Sequence, residues 1–261
     1  MTSRLSLAAA LLITASAARA GLVIGTQETQ GGKPSREAVI YVEGNKMASD
    51  DAGDSKRSFI WDGDARKITL VDRQQKTFQE MTPADVSGMK ARMSKAMEEA
   101  KARMTPEQRK AFEQMMAEQK DQGPKKQERE VEYVPAAGGD RVIGHACKNY
   151  REVRAGKTVA ETCFIPWSEG VVSRADFAPL ERLEEFWRPM IEQTPGAQQE
   201  RSFATELSRA PGVPAIRKSL GPDGKVEREE RLTKLERTRV PGSRFAVPAG
   251  YTRAAKPPNA P

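Results

Sequence analysis

Short apolar runs separated by polar turn signals mark the first third of the chain as strands. Segments 22–29 and 37–46, the second centred on Val39-Ile40-Tyr41-Val42, make the first candidate pair. Segments 58–61 and 67–71 flank Asp62-Gly63-Asp64, a hairpin turn signal. A further strand over 76–80 follows the polar turn 72–75.

The pattern then changes. At Thr82-Pro83 the threonine is placed to cap, the proline takes the first helical position, and Asp85 completes a capping box. Met81 and Val86 stand at the two staple positions. Thr105-Pro106-Glu107-Gln108 repeats the start signal. The spacing predicts two helices, near 83–103 and 106–120, forming a Met-rich helical arm inserted over 82–127 and closed by a polar linker at 121–127.

Strands resume at 130–134, 141–144, 147–153 and 158–165. Phe177, Leu180, Leu183, Trp187, Met190 and Ile191 then fall on or near one face of a helical stretch over about 173–193, which Pro179 and Pro189 should interrupt or kink. A shorter helix fits 198–208. Over 213–238 two signals conflict, because Pro222-Asp223-Gly224 is a hairpin turn while 225–237 has helical composition. A strand is expected there, since tertiary context overrides propensity. The Pro- and Ala-rich tail, 253–261, is expected to be disordered.

The N-terminus has the parts of a secretory signal: Arg4, an uncharged apolar run over 5–15, and Ala18-Arg19-Ala20 as a small-x-small cleavage pattern. The run is shorter than the about 20 residues a spanning helix needs, and no cysteine follows the cleavage site to carry a lipid. The expectation is a signal peptide over 1–20, cleaved after Ala20, followed by a single α+β domain over 21–252 without a transmembrane segment, periplasmic or secreted.

Removing Arg4 and Arg19 lowers the formal charge from +7 to +5. This mild excess is interspersed with acids and lacks the clustering of a nucleic-acid footprint, so no nucleic-acid partner is expected. At 30% charged and 6% aromatic residues the chain is polar for a globular protein, which favours a modest core with long exposed elements.

Cys147 and Cys163 are the only cysteines, and an oxidising compartment favours pairing them. Folding the chain about a three-residue loop, Arg154-Ala155-Gly156, sets the two directly opposite each other, close enough for a bond after modest adjustment. A reactive thiol pair and a metal site are the alternatives, but redox pairs are usually Cys-x-x-Cys and two sulfurs are too few for a zinc cage. A structural disulfide is the favoured reading.

The single histidine, His145, leaves no site that needs two, and permits a Ser-His-Asp or Cys-His arrangement only through itself. Neither a phosphate-binding loop nor a nucleophile elbow is present. No catalytic residue, cofactor or metal site is therefore assigned. Met89, Met93, Met97 and Met104 lie in one stripe with Val86 and Ala100, and Met115 and Met116 accompany Phe112 on the second helix. Three readings are open for these methionines: helix packing, an adaptable apolar surface for a ligand or partner, and soft-metal binding through thioethers.

An ordered set of short motifs adds a family resemblance. They are Gly44-Asn45-Lys46-Met47, Val71-Asp72 before Lys76-Thr77-Phe78, Pro106-Glu107-Gln108-Arg109, and Gly144-x-x-Cys147-x-x-Tyr150. Gly156-Lys157, Trp167, Gly212-Val213-Pro214 and the closing Phe245-x-Val247-Pro248-x-Gly250-Tyr251 complete the set. Over about 37–251 the chain resembles a secreted bacterial family known as domain of unknown function 4412, whose fold is similar to the curved half-barrel of the periplasmic lipoprotein carriers. The resemblance implies a curved antiparallel sheet with helices on its concave side and an apolar cleft, and it brings no catalytic residues. Cys163 departs from the family pattern and argues against a free-thiol role for Cys147.

The functional expectation is a non-catalytic envelope protein that binds a lipid or other apolar small molecule in a cleft between the sheet and the Met-bearing helices. The alternatives are docking of an envelope protein partner through the charged arm, and copper binding.

Overall fold

Two runs of alternating strands build the molecule, each a meander whose neighbours in sequence are neighbours in space. The computed structural model describes residues 20–51, 57–121, 131–191 and 209–254; the expected signal peptide, the helix at 198–208, most of the linker at 121–127 and the tail beyond Ala254 lie outside them. The first meander comprises β1 (Gly21–Gln30), β2 (Lys33–Glu43), β3 (Lys46–Asp51), β4 (Arg57–Asp62), β5 (Lys67–Asp72) and β6 (Thr77–Met81). The second comprises β7 (Glu132–Val142), β8 (His145–Arg154), β9 (Lys157–Pro166), β10 (Gly212–Leu220) and β11 (Val226–Thr238). Antiparallel pairing of β1 with β11 fuses them, and β12 (Thr252–Arg253) adds to β6 in parallel. The strand order is β12-β6-β5-β4-β3-β2-β1-β11-β10-β9-β8-β7. The architecture is thus mostly β: one large, curved, unclosed sheet, with three α-helices among the described residues, α1 (Pro83–Ala102), α2 (Pro106–Asp121) and α3 (Ala178–Ile191).

Local chemistry explains most boundaries. Asp62 Oδ1 accepts the N–H groups of Asp64 and Ala65, and Asp72 Oδ1 accepts those of Gln74 and Gln75, so each aspartate closes its own turn. Thr82 and Asp85 form the full capping box at α1. Thr105 and Gln108 exchange the equivalent pair of bonds at α2.

Four sequence expectations change in detail. The strand expected over 37–46 ends at Glu43, because Gly44 takes φ 59° in a turn and Lys46 opens the unforeseen β3. The two strands expected at 130–134 and 141–144 are one, β7, whose register slips between Pro135 and Gly139. Proline cannot donate to a ladder and glycine bends freely, so a bulge replaces the break. Helix 173–193 begins instead as a 3-10 turn, Arg174–Phe177, with Pro179 in the first turn of α3 and only Pro189 inside it. Arg253, expected in the disordered tail, belongs to β12: Thr252 donates to the Lys76 carbonyl and Ala254 to the Phe78 carbonyl. Segment 226–238 is a strand despite its helical composition, because it is paired on both sides and buries Leu232 and Leu235.

Register places a continuous apolar row on one face of the first meander: Leu22, Val42, Met47, Trp61, Ile68 and Met81 stand opposite one another across six strands. This inner face receives the helices. Phe186 of α3 meets Trp61 edge-on at 5.3 Å between ring centroids, and Val86 of α1, 1% exposed, joins the same core. The opposite face is covered by the C-terminal segment, where Phe245, Val247 and Tyr251 pack over Ala48, Ile60 and Val71.

The helical insert is therefore not one free arm. Val86 and Met89 fix the start of α1 to the core, whereas α2 is exposed along its described side chains apart from half-buried Phe112.

Candidate functional site

The inner face of the second meander, with β1 and β2, bounds a cleft of about 420 Å³. Ile24, Ile40 and Val42 form one wall, Phe164, Val213 and Leu232 another, and Phe177 and Leu180 enclose it from the start of α3. Register sets the walls: Ile24 stands opposite Ile40, and Phe164 opposite Pro214. Tyr133 and Tyr150 both stack edge-on against Phe164, at 5.3 and 5.6 Å, and brace that wall from β7 and β8.

A polar group is built into the far wall. Glu152 of β8, its side chain 3% exposed, accepts hydrogen bonds from Arg217 Nε at 3.0 and 3.2 Å and from Nη2 at 2.8 Å. Thr162 Oγ1 also donates to Glu152, and Arg217 Nη1 donates to Ser219 Oγ at 3.2 Å. Burying a carboxylate this deeply is costly unless its charge is matched and its oxygens are occupied, as both are here. Glu152, Arg217 and Glu230 are the charged groups among the described lining residues.

The floor of α3 is held by a second ion pair. Asp176 accepts from Ser173 N–H at 2.6 Å and Ser173 Oγ at 2.9 Å, and Arg237 of β11 donates Nη2 at 2.6 Å and Nη1 at 3.1 Å to its two oxygens. Burial pushes the Asp176 pKa up, but the Arg237 guanidinium and the Ser173 donors outweigh it and hold the carboxyl below its ordinary value. Asp176 thereby positions Phe177, the next residue, over the cleft. Trp167 Nε1 donates to the Ala210 carbonyl at 2.8 Å, which ties the end of β9 to the approach to β10.

The methionines occupy a different region. Met89 packs on the core, Met93 and Met97 are half-buried along α1, Met104 is half-buried in the turn after it, and Met115 on α2 is 46% exposed; the Met116 side chain lies outside the described residues. Among the described residues none of these side chains lines the cleft. This cleft is therefore not the one expected between the sheet and the Met-bearing helices: α1 packs by the first meander, while the cleft lies against the second and is closed by α3.

Cys147 and Cys163 have the geometry of a disulfide, with S–S 2.05 Å and Cα–Cα 5.4 Å, inside the usual span. They are not directly opposed as the sequence suggested. The loop is a two-residue turn, Ala155 (φ 48°) and Gly156 (φ 75°), and the register shifts between Glu152 and Val153, so Cys163 faces Asn149 and the bond runs diagonally. With its sulfur so engaged, Cys147 offers nearby His145 no thiol. Among the described residues no three His, Cys, Asp or Glu side chains converge as a metal site.

The cleft residues escaped sequence reasoning for a simple reason. Glu152 and Arg217 sit in segments dense with charge, where each reads as one more solvated side chain. Only the pairing of β8, β9 and β10 shows that both face inward.

Neither a family model nor a curated protein sequence matches the chain. Among solved structures it is similar to an uncharacterized conserved protein from Thermus thermophilus, at 6% identity and TM-score 0.42, over 90% of each chain. It is also similar to a chain of the Pseudomonas aeruginosa MucA/MucB complex, at 10% identity and TM-score 0.41, over 88% of this chain and 57% of that one. PNGF-II aligns at 8% identity and TM-score 0.36, over 91% of this chain and 31% of its own. Overlap this low carries neither a fold assignment nor a function to this chain.

Proposed function

We propose that this protein is a non-catalytic binding protein of the cell envelope, holding an apolar small molecule or acyl chain in the inner-face cleft. The observation that carries this reading is the cleft itself: about 420 Å³, walled by aliphatic and aromatic side chains, with a small polar group at one side. Small-molecule sites have this size and composition, about 300–1,000 Å³ and mostly apolar with few polar groups. Burial of a chain there contributes about 0.8 kcal/mol per CH₂. The lipoprotein-carrier-like half-barrel implied by the sequence motifs agrees with an open sheet that packs helices on one face. Export agrees with the paired cysteines and with the signal-like N-terminus. No helix among the described residues is long and apolar enough to cross a membrane.

The test is binding of a fluorescent apolar probe, N-phenyl-1-naphthylamine, to delipidated protein, with displacement by dodecanol. One saturable site is expected, and Leu232→Trp, which fills the cleft, should remove it. A folded protein that binds no probe defeats the reading.

A second reading rests on α2, whose described side chains are largely exposed and include Met115. It makes α2 the docking element for an envelope protein. Deleting 105–127 should leave the fold intact and abolish co-purification of a partner; unchanged co-purification ends this reading. Deletion from Thr82 is unsuitable, because it strips Val86 from the core.

A further inference from the structure

Resting on the cleft reading, we infer that the cleft selects an amphiphile with a cationic head group, of alkylammonium chemistry, over one with a carboxylate or phosphate head.

Register brings one row of residues side by side across six strands. Tyr150, Thr162, Arg217, Glu230, Glu28 and Arg36 stand in succession on β8, β9, β10, β11, β1 and β2. This row borders the apolar part of the cleft, two positions along β11 from Leu232. A ligand whose chain lies among Ile24, Val42 and Leu232 puts its head beside the row.

The cation a carboxylate head would seek is already committed. Arg217 grips Glu152 through Nε and Nη2 and gives Nη1 to Ser219. Its partner is almost wholly buried, so the pair is internally neutral and cannot be opened without stranding Glu152. An anion at this place meets a guanidinium whose charge is matched.

Glu230 is the opposite case. It lines the cleft and is exposed, and it makes no hydrogen bond or ion pair among the described residues. Arg217 stands across from it on β10 but turns to Glu152. On its other side it faces Glu28, and like charges directly opposed across a strand pair destabilise a sheet. Glu28 has the Ser35 hydroxyl at 3.3 Å and Arg228 at 3.9 Å, which leaves Glu230 as the uncompensated charge. The three charged lining groups, Glu152, Arg217 and Glu230, therefore sum to one net negative charge. An ammonium head relieves that excess, a neutral alcohol leaves it, and a carboxylate or phosphate adds to it.

The test compares dodecylammonium, dodecanol and dodecanoate, all at neutral pH and below their aggregation limits, as displacers of N-phenyl-1-naphthylamine from delipidated protein. The expected order is ammonium, alcohol, carboxylate, with about two- to five-fold between the first two, as befits one exposed charge. Glu230→Gln should erase the ammonium preference and leave the alcohol unchanged, and 0.5 M salt should narrow the preference in the wild type, as about 4 Å of screening length implies. Dodecanoate binding as tightly as dodecylammonium, or a preference indifferent to Glu230→Gln, overturns the inference while alcohol binding upholds the cleft. If none of the three displaces the probe, or the probe itself does not bind, both readings fall together.

Discussion

Arg217 on β10 reaches across the whole width of β9 to grip Glu152 on β8 with two nitrogens, the shorter contact being 2.8 Å. Thr162, on the strand between them, donates to the same carboxylate. Three strands are thus pinned at one point on the inner face, and the pin forms the polar wall of an otherwise apolar cleft.

Removing one member of this pair should cost more than removing both. Arg217→Met strands a carboxylate that is 3% exposed. Breaking a buried pair costs about 3–5 kcal/mol, and the lower end applies because Arg217 is 28% exposed. The double variant Glu152→Leu/Arg217→Met should be more stable than Arg217→Met alone, since no unpaired charge is left behind. Urea unfolding of wild type, Glu152→Leu, Arg217→Met and the double variant settles it; losses that simply add would refute the coupling.

The diagonal disulfide links residues separated by 16 positions. In the chain-entropy account a loop of that length contributes about 3 kcal/mol. Cys147→Ala/Cys163→Ala should lower stability by about that amount, and reductant should destabilise the wild type but leave the variant unaffected. Equal unfolding midpoints for wild type and variant in oxidising buffer would contradict this.

Phe186 is the joint between α3 and the sheet, held edge-on by Trp61 at 5.3 Å and by Trp187 at 5.4 Å. Phe186→Ala should cost about 3–5 kcal/mol, as for a buried phenyl ring elsewhere. It should also weaken probe binding, because Phe177 and Leu180 on the same segment close the cleft. Thermal unfolding and probe titration of one sample test both effects.

Asp176 ties part of the fold's stability to pH. Its pKa is lower in the folded state than in the unfolded chain, so its contribution is fully present above the unfolded value, about 4, and is lost as pH falls through the folded one. Asp176→Asn should therefore be less stable than wild type at neutral pH, with the difference shrinking steadily below about pH 4. A difference that stays constant down to pH 2 would show that Asp176 does not carry the linkage.

The strands and the two capped helices were legible because their signals are local. Thr82, Pro83 and Asp85 act within one turn, and Val39-Ile40-Tyr41-Val42 is a β-branched and aromatic run that reads as a strand by itself. β3 was missed because Lys46-Met47-Ala48-Ser49 carries little β-propensity; it is a strand by virtue of β2 and β4 on either side. The cleft was hidden more deeply. Glu152 and Arg217 are 65 residues apart, and nothing in either segment distinguishes an inward charge from the many outward ones. Of the methionine stripe, conspicuous in sequence, Met89 meets the core.

The seam between β1 and β11 has a consequence for how the chain is made. β1 is made well before its partner, which lies about two hundred residues downstream, as Gly21 facing Thr238 shows. At typical elongation rates of 5–20 residues per second, one edge of β1 waits roughly 10–40 s for the strand that will cover it. The two meanders need only near neighbours and can form early, whereas the seam demands the longest loop closure in the molecule. The waiting edge carries Leu22, Val23 and Ile24, an apolar run suited to pairing with a neighbouring chain. The interval before the seam closes is thus when the apolar edge of β1 is open to pairing with another chain.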